Sequence, residues 1–351
     1  MYRYLPIVTC KDGLCYTKQS FFIKGWHLIR SFFLILLIFF GLISLSAKET
    51  FPEKPIRLIV GFGVGGSSDR LARAMEPFLT TMFKTPIEII NLEGEGSKKA
   101  ASYFLEQPSD GYTIFCSTFT PYLAHTILAG NANYRLDDFD FINVQWFDHD
   151  IIAVNVASSF KSLRELLDVL KKGDQKLKLA VMEDSSGHLL LQMLLHHYAI
   201  PKHHVEIQLF NNGKTARDAI AHQEVDVILI SSQGSELVRE HLHTLAVFSA
   251  ERHPKWDVPT VNEALAPLGF QVPLFTGSMR GFAVNKTLKN QYPDRYTLLV
   301  EGFLKVLAKK EVQKHLREDR IGGVWMGPKK STQLIQETFD IYQKNAHLLR
   351  D

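Results

Sequence analysis

Apolar positions repeat in two alternating patterns from residue 51 to the end of the chain. Short runs rich in β-branched residues are typical of buried strands, and the longer segments between them space their apolar residues as helices do. Five such strands are predicted, at Ile56–Val60, Thr113–Ser117, Leu177–Met182, Val205–Phe210 and Val225–Ile230. Strands that alternate with helices predict an α/β fold whose sheets are mostly parallel and flanked by helices.

The first of these units shows the pattern most completely. The run Ile56–Val60 predicts a strand, residues 61–68 form a loop rich in glycine and serine, and the apolar spacing from Asp69 onward predicts a helix. Serine is a favoured residue at the position that precedes a helix. Ser67 or Ser68 is therefore predicted to cap this helix.

Two further helix starts are marked by pairs of residues that can satisfy each other's free backbone N–H groups. These pairs are Ser162 with Glu165 and Thr260 with Glu263. The tail is predicted to be helical from Ser331 as far as Leu349.

Residues 31–47 form an uncharged, strongly apolar run that follows Lys24 and Arg30 and ends in small residues. This arrangement is typical of a signal peptide with its cleavage site, and it predicts export of the rest of the chain. The run has 17 residues, the lower limit of the roughly 17–25 that cross a bilayer. An N-terminal anchor in the inner membrane is therefore the alternative for residues 1–47.

Composition supports a globular protein and removes several classes. Of the 351 residues, 46% are hydrophobic and 22% are charged, which excludes a disordered or low-complexity chain. At roughly 100–200 residues a domain, the length favours two domains. The formal charge is +3, but five basic residues and one acidic residue precede residue 31, leaving 35 basic against 36 acidic residues. A nearly neutral body gives no electrostatic basis for binding nucleic acid.

The loops that follow the predicted strands carry the candidate binding chemistry. Ligands of open α/β sheets lie at the carboxyl ends of the strands, and a helix N-terminus offers free N–H groups to an anion. Gly65 and Gly66 allow a close approach of the backbone. Hydroxyl groups in the same loops come from Ser67, Ser68, Ser117, Thr118, Ser185 and Ser186. Together these features predict a carboxylate site.

Several motifs resemble one family when they are taken in order along the chain. They are the segment FPEKPIRLIVGFGVGGSSDRLAR at 51–73, followed by matches at 108–113, 185–189, 223–226, 245–249, 257–260 and 280–283. From residue 51 to its C-terminus, the chain resembles the solute receptors of tripartite tricarboxylate transporters, also called the Bug or TctC-like family of periplasmic substrate-binding proteins.

The resemblance implies two α/β domains that close like a flytrap on a small organic anion. Domain one is expected to comprise residues 51–151 and 278–351, and domain two residues 152–277, with crossing strands near 151–155 and 277–284. The receptor would deliver its ligand to the membrane subunits of a transporter of the tripartite tricarboxylate type. It would perform no catalysis, hold no cofactor and no metal, and act as a monomer.

The family's ligand contacts can be carried over by position. In domain one they fall on Phe62, Gly65, Gly66, Ser67, Ser68, Asp69, Ser117 and Thr118, and in domain two on Ser185, Ser186, His188 and Gly213. For Asp69 a structural role, such as capping its helix, is preferred over contact with the ligand. His188 is expected to cap its helix or to donate to the ligand.

The sequence departs from the family pattern in both domains. The first loop lacks two prolines that usually stiffen it, Glu95 stands where a small residue is expected, and Asn211, Asn212 and Lys214 replace a more usual run. A Glu95 side chain that faced the cleft would disfavour an anionic ligand. The identity of the ligand therefore does not follow from the resemblance.

Two rival functions remain open in the sequence. Gly61, Gly63 and Gly66 form a G-x-G-x-x-G pattern between a strand and a helix, as in an exported NAD-dependent oxidoreductase. That fingerprint also requires an acidic residue at the end of the next strand, and this strand ends at Asn91. The other rival is a ligand sensor that acts on a signalling partner.

Overall fold

The computed structural model describes residues 8–11, 14–17, 50–130 and 132–349. The predicted signal segment at 31–47 lies outside the described residues. The chain divides into two units, Met1–Phe51 and Pro52–Asp351. In the first unit, strands β1 (Val8–Lys11) and β2 (Leu14–Thr17) pair antiparallel.

The second unit alternates strands and helices, as the hydrophobic pattern predicts. Its strands are β3 (Ile56–Val60), β4 (Ile87–Asn91), β5 (Thr113–Thr120), β6 (Phe139–Asp148), β7 (Asp150–Asn155), β8 (Leu177–Met182), β9 (Val205–Phe210), β10 (Val227–Ser231), β11 (Leu242–Phe248) and β12 (Ser278–Asn285). Its α-helices are α1 (Ser67–Phe83), α2 (Lys98–Glu106), α3 (Tyr122–Leu128), α4 (Leu163–Lys172), α5 (Ser186–His197), α6 (Gly213–Ala221), α7 (Ser232–Ser235), α8 (Val261–Leu265), α9 (Leu288–Gln291), α10 (Pro293–Leu307), α11 (Lys310–Glu318) and α12 (Gly327–Asn345). Short 3-10 helices cover Glu95–Ser97, Leu136–Asp138, Lys202–His204, Glu236–His241, Ala266–Leu268 and Ala346–Leu349.

The strands of the second unit form two five-stranded sheets. Sheet one has the order β4-β3-β5-β12-β6, and sheet two has the order β11-β7-β10-β8-β9. In sheet one only β12 runs against the other four strands, since it pairs antiparallel with both β5 and β6. In sheet two β7 is the single reversed strand, because it pairs antiparallel with β10 and β11. Two mostly parallel sheets flanked by helices confirm the predicted fold class.

Each sheet has its own hydrophobic core. Core one contains a group of packed aromatic rings, in which Phe104 stacks on Phe115 and on Phe139. Core two is dominated by leucine, with α4, α5 and the strands of sheet two contributing most of its side chains. Burial of these apolar surfaces is the main favourable term that stabilises each half of the unit.

The chain passes from sheet one to sheet two over a single residue. Strand β6 ends at Asp148 and β7 begins at Asp150, so that only His149 separates the two sheets. The last helix, α12, also serves both halves: Ile335 and Phe339 lie in core one, and Tyr342 lies in core two. Strand β12, expected near a crossing, lies entirely in sheet one.

Local predictions agree with the structure wherever the apolar runs are sharply bounded. Strands β3, β8 and β9 have the predicted limits. Thr260 and Glu263 form the complete reciprocal pair. Ser162 accepts a hydrogen bond from the N–H of Glu165, but the Glu165 carboxylate accepts from the N–H of Lys161 instead.

The predicted cap of α1 is wrong. The helix begins at Ser67, two residues before the predicted Asp69, and the residue that precedes it is Gly66, which makes no side-chain capping bond. The serine hydroxyls that could have capped it are used elsewhere, as described below. The tail helix likewise begins earlier than predicted, at Gly327 rather than Ser331.

Candidate ligand-binding site

The reversed strand of each sheet begins beside the carboxyl ends of its neighbours. In sheet one, Arg280 of β12 lies opposite Thr118 of β5. In sheet two, Asp150 of β7 lies opposite Ser231 of β10 and Phe248 of β11. The topology therefore places an arginine at the edge formed by the strand carboxyl ends of one sheet and an aspartate at that of the other, the edge at which open α/β sheets bind ligands.

The first loop leads into the N-terminus of α1 through two glycines. Gly65 has a φ of +83°, a conformation that side chains disfavour, and its N–H donates to Oδ2 of Asp69 over 2.8 Å. The N–H of Gly66 donates to the carbonyl oxygen of Gly63 over 3.1 Å. The loop thus turns on its own hydrogen bonds before the helix starts.

Asp69 holds this loop in place through the hydrogen bonds that its carboxylate accepts. Its carboxylate is 1% exposed and accepts hydrogen bonds from Arg73 Nε, Asn91 Nδ2 and the N–H of Gly65. Burial alone would raise the pKa of Asp69, but the bonds from Arg73, Gly65 and Asn91 hold the pKa below its ordinary value. The contacts of Asp69 are those of a structural residue, the role preferred for it from the sequence.

Most predicted hydroxyl groups of domain one bond to each other. Ser68 Oγ lies 3.1 Å from Thr118 Oγ1, and Ser117 Oγ lies 2.7 Å from Ser97 Oγ. Ser68, Ser117 and Thr118 are all buried. Ser67 is different, because its hydroxyl accepts a hydrogen bond of 2.7 Å from Nε of Arg280.

The predicted residues of domain two lie at the starts of α5 and α6. Ser185 caps α5, its Oγ accepting from the N–H of His188 over 3.1 Å. The His188 side chain is not the cap; it is buried, its Nδ1 has no partner among the described residues, and burial lowers its pKa. Gly213 is the first residue of α6 and follows the capping residue Asn212.

Three contacts bring elements from the two sheets together. His125 of α3 and Asp184, in the loop after β8, are in contact with 3.0 Å between Nε2 and Oδ1, an ion pair when the histidine is protonated. Trp146 Nε1 of β6 donates to Oε1 of Gln233 over 2.6 Å. The Gln233 amide nitrogen donates in turn to the carbonyl oxygen of Phe147. These contacts join the two halves of the second unit.

Four charged residues, Asp148, Asp150, Arg217 and Arg280, form a cluster in which each carboxylate interacts electrostatically with both arginines; all but Arg217 are buried. Asp148 accepts hydrogen bonds from the Ser232 hydroxyl and the N–H of Gln233. Arg217 donates to the Ser235 hydroxyl and to the carbonyl oxygens of Gly213 and Ser231. These two residues are thus satisfied by sheet two and its loops.

The other two members of the cluster are Arg280 and Asp150. The Arg280 guanidinium lies 4.8 Å above the Trp146 ring, and its Nη1 has no hydrogen-bond partner among the described residues. Burial raises the pKa of Asp150 to about 7, although a hydrogen bond from Ser186 and the charges of Arg280 and Arg217 oppose this rise. Oδ2 of Asp150 also has no partner in the described part of the chain.

Sequence reasoning did not select these charged residues as ligand contacts. Arg280 belongs to the family-like motif at 280–283, which was the one available signal. Asp148 and Asp150 carry no local signal, because their position depends on which strand of the sheet is reversed.

Two positions that bear on the rival interpretations are occupied by local contacts. Glu95 is exposed and pairs with Lys98 over 2.8 Å, and this hydrogen bond lowers the pKa of its carboxyl group. Asn91, where a dinucleotide site requires an acid, donates its amide to the carbonyl oxygen of Phe62 and to Asp69. Asn91 therefore holds the first loop in place.

Two cavities lie away from the predicted contacts. One, of about 510 Å³, is lined by residues such as Ser102, Arg135 and Lys286. The other, of about 460 Å³, lies beside the ion pair of His125 and Asp184. None of the twelve predicted site residues lines either cavity.

Within the described ranges no three His, Cys, Asp or Glu side chains converge as a metal site would require. No helix among the described residues is long and apolar enough to cross a membrane.

Two mostly parallel sheets flanked by helices define a two-domain periplasmic-binding-protein fold. A TctC solute-binding protein from Polaromonas has a TM-score of 0.70 at 19% identity, over 85% of this chain and 99% of that one. MatC from Rhodopseudomonas palustris, solved with malate, has a TM-score of 0.64 at 22% identity, over 85% of this chain and 100% of its own. Another R. palustris protein, solved with adipate, has a TM-score of 0.65 at 21% identity, over 86% of this chain and 98% of its own. At these identities the likeness is one of fold.

Curated proteins give the same result at the level of sequence, although no family model matches the chain. The UPF0065 protein of the tcbD-tcbE intergenic region of Pseudomonas sp. is 26% identical over 234 residues, 65% of this chain and 68% of that protein. The protein BugT of Bordetella pertussis is 31% identical over 84 residues, 24% of this chain and 26% of BugT. The resemblance to TctC-like and Bug solute receptors is thereby confirmed.

Proposed function

We propose that this protein is an exported solute receptor that captures a small organic anion in the cleft between its two sheets. Domain one comprises residues 51–151 and 278–351, and domain two residues 152–277. Residues 1–47 direct export to the periplasm or anchor the chain in the inner membrane. The receptor delivers its ligand to membrane subunits of a transporter of the tripartite tricarboxylate type and catalyses no reaction.

The observation that carries this proposal is the guanidinium of Arg280. It lies at the ligand-binding edge of sheet one, is 7% exposed, and keeps Nη1 without a partner among the described residues. A buried cation with a free donor is suited to a carboxylate, because charge-assisted hydrogen bonds are the strong ones. The structures with malate and adipate support the same ligand class.

Supporting contacts come from both halves of the cleft. The N-terminus of α1, with Phe62, Gly65, Gly66 and Ser67, supplies N–H groups and a hydroxyl from domain one. In domain two, Ser185, Ser186, His188 and Gly213 occupy the starts of α5 and α6. An anion that reaches both sets of N–H groups stabilises the closed arrangement over an open one, which is how such a ligand shifts the population.

The test is ligand-induced stabilisation of the full-length protein. Because a ligand that binds only the folded state raises the melting temperature, we expect at least one class of organic acid to raise it, and NAD to leave it unchanged. Arg280→Gln should abolish that rise, whereas Arg252→Gln, which changes an exposed arginine, should preserve it. Stabilisation by NAD, or an unchanged acid response in Arg280→Gln, would contradict the proposal.

A further inference from the structure

Two unpartnered atoms in the buried cluster have opposite chemical character. Nη1 of Arg280 is a cationic donor and Oδ2 of Asp150 is an acceptor, and neither has a hydrogen-bond partner among the described residues. Both residues are more than nine-tenths buried, at 7% and 2% exposure. Because a buried polar group without a partner is costly, the pair points to groups that a ligand supplies.

The other charges of the cluster do not share this property. Asp148 and Arg217 make several hydrogen bonds each to sheet two and its loops. Each of these two side chains is therefore fixed by hydrogen bonds within the protein. This leaves Arg280 from sheet one and Asp150 from sheet two as the charged side chains with bonding capacity to spare.

The backbone at Gly277 packs closely against Asp150. A Cβ at Gly277 would lie 2.9 Å from the carbonyl oxygen of Asp148, 3.0 Å from Oδ2 of Asp150 and 3.4 Å from Oγ of Ser186. A side chain at this position would therefore crowd the carboxylate, and glycine avoids that contact. Ser186, a predicted ligand contact, thus lies next to the carboxylate that was not predicted.

We propose, on the basis of the receptor function above, that the ligand is a carboxylic acid that also carries a hydrogen-bond donor, an amine or a hydroxyl, near its carboxylate. Arg280 binds the carboxylate and Asp150 accepts a hydrogen bond from the donor. An acid without this donor leaves Oδ2 of Asp150 without a partner. A second ligand carboxylate in that place would oppose its charge.

The test compares acids that differ in one substituent. Three series serve: succinate, malate and aspartate; glutarate, 2-hydroxyglutarate and glutamate; 3-phenylpropionate, phenyllactate and phenylalanine. Affinities for the full-length protein are measured by calorimetry at pH 8. In at least one series we expect the hydroxy or amino acid to bind tenfold or more tightly than the unsubstituted acid, and the larger ratio identifies the donor.

Asp150→Asn isolates the residue. We expect it to reduce that ratio to less than threefold, while Asp174→Asn, at an exposed position, leaves it unchanged. The ratio is taken within one variant, so a change in the folded fraction cancels. An unsubstituted acid that binds equally well in every series, or an unchanged ratio in Asp150→Asn, would overturn this inference and leave the receptor function standing. Failure of all nine acids to bind would contradict both.

Discussion

The buried position of Asp150 makes its ionised carboxylate destabilising for the folded protein. Burial raises its pKa from 3.8 to about 7 in the folded protein, whereas the unfolded chain ionises near its ordinary value. Between these two values the unfolded chain holds fewer protons than the folded one, so the stability of the fold decreases as pH rises, by up to about 1.4 kcal/mol per pH unit. Above pH 7 the carboxylate is ionised in the folded protein as well, and the loss of folding stability reaches its full size.

This loss of stability predicts that Asp150→Asn stabilises the ligand-free protein more at high pH than at low pH. The substitution keeps the shape and removes the charge, so the free energy of unfolding of the variant relative to wild type should increase from pH 5 to pH 8, by up to about 3 kcal/mol. Urea unfolding at these pH values measures the difference. Asp174→Asn serves as the exposed control and should give a flat profile. A difference for Asp150→Asn that does not change with pH would show that the carboxyl group is not buried in solution.

The elements differ in how far the sequence predicts them. Strands β3, β8 and β9 were predicted with their limits, because β-branched runs end sharply at polar loops. The start of α1 was not predicted correctly. Which of Gly66, Ser67 and Ser68 precedes the helix depends on Arg280, because Arg280, 213 positions from Ser67, donates a hydrogen bond to the Ser67 hydroxyl. The loops at the strand ends were predictable from their own residues, but the placement of Arg280 and Asp150 in one cluster was not. It depends on the register of the reversed strands.

The N-terminus of α1 offers a test at the scale of one element. Gly66 has an extended backbone, with φ −65° and ψ 164°, that other residues can adopt, and aspartate is a favoured residue before a helix. A Cβ at Gly66 would lie 3.0 Å from the carbonyl oxygen of Gly63, so that the loop has to shift slightly. Gly66→Asp should therefore leave the protein folded. It should also abolish binding of an anionic ligand, because its carboxylate takes the positive end of the helix.

Gly66→Asn is the matched control, since it has the same shape and no charge. We expect Gly66→Asn to lose far less affinity in calorimetry, with circular dichroism spectra unchanged in both variants. Anion affinity retained by Gly66→Asp would place the binding site elsewhere in the molecule.

At the scale of the whole molecule, one ion pair joins the two halves at the edge of the cleft. His125 and Asp184 are partly exposed, at 23% and 43% of their side chains, and a pair of this kind contributes about 0.2–1 kcal/mol. It is formed only when α3 and the loop after β8 meet. In the proposed receptor, its contribution therefore belongs to the arrangement in which the cleft is closed.

Asp184→Asn should accordingly increase the dissociation rate of the bound acid about two- to fivefold. Asp184 has a φ of +55°, a conformation that asparagine also tolerates, so the loop should keep its shape. Stopped-flow displacement measures the rate, and Asp218→Asn, which removes an ion pair within α6, is the control. An equal change in both variants would show that the pair of His125 and Asp184 does not contribute specifically to closure.

Helix α12 constrains how the cleft can open. One part of this single rigid element is held in core one by Ile335 and Phe339, and the next turn is held in core two by Tyr342. A straight translation of one half away from the other would remove at least one of these side chains from its core. Rotation about an axis close to the helix leaves both anchors in place. The ligand's route of entry then lies on the side of the cleft farthest from α12.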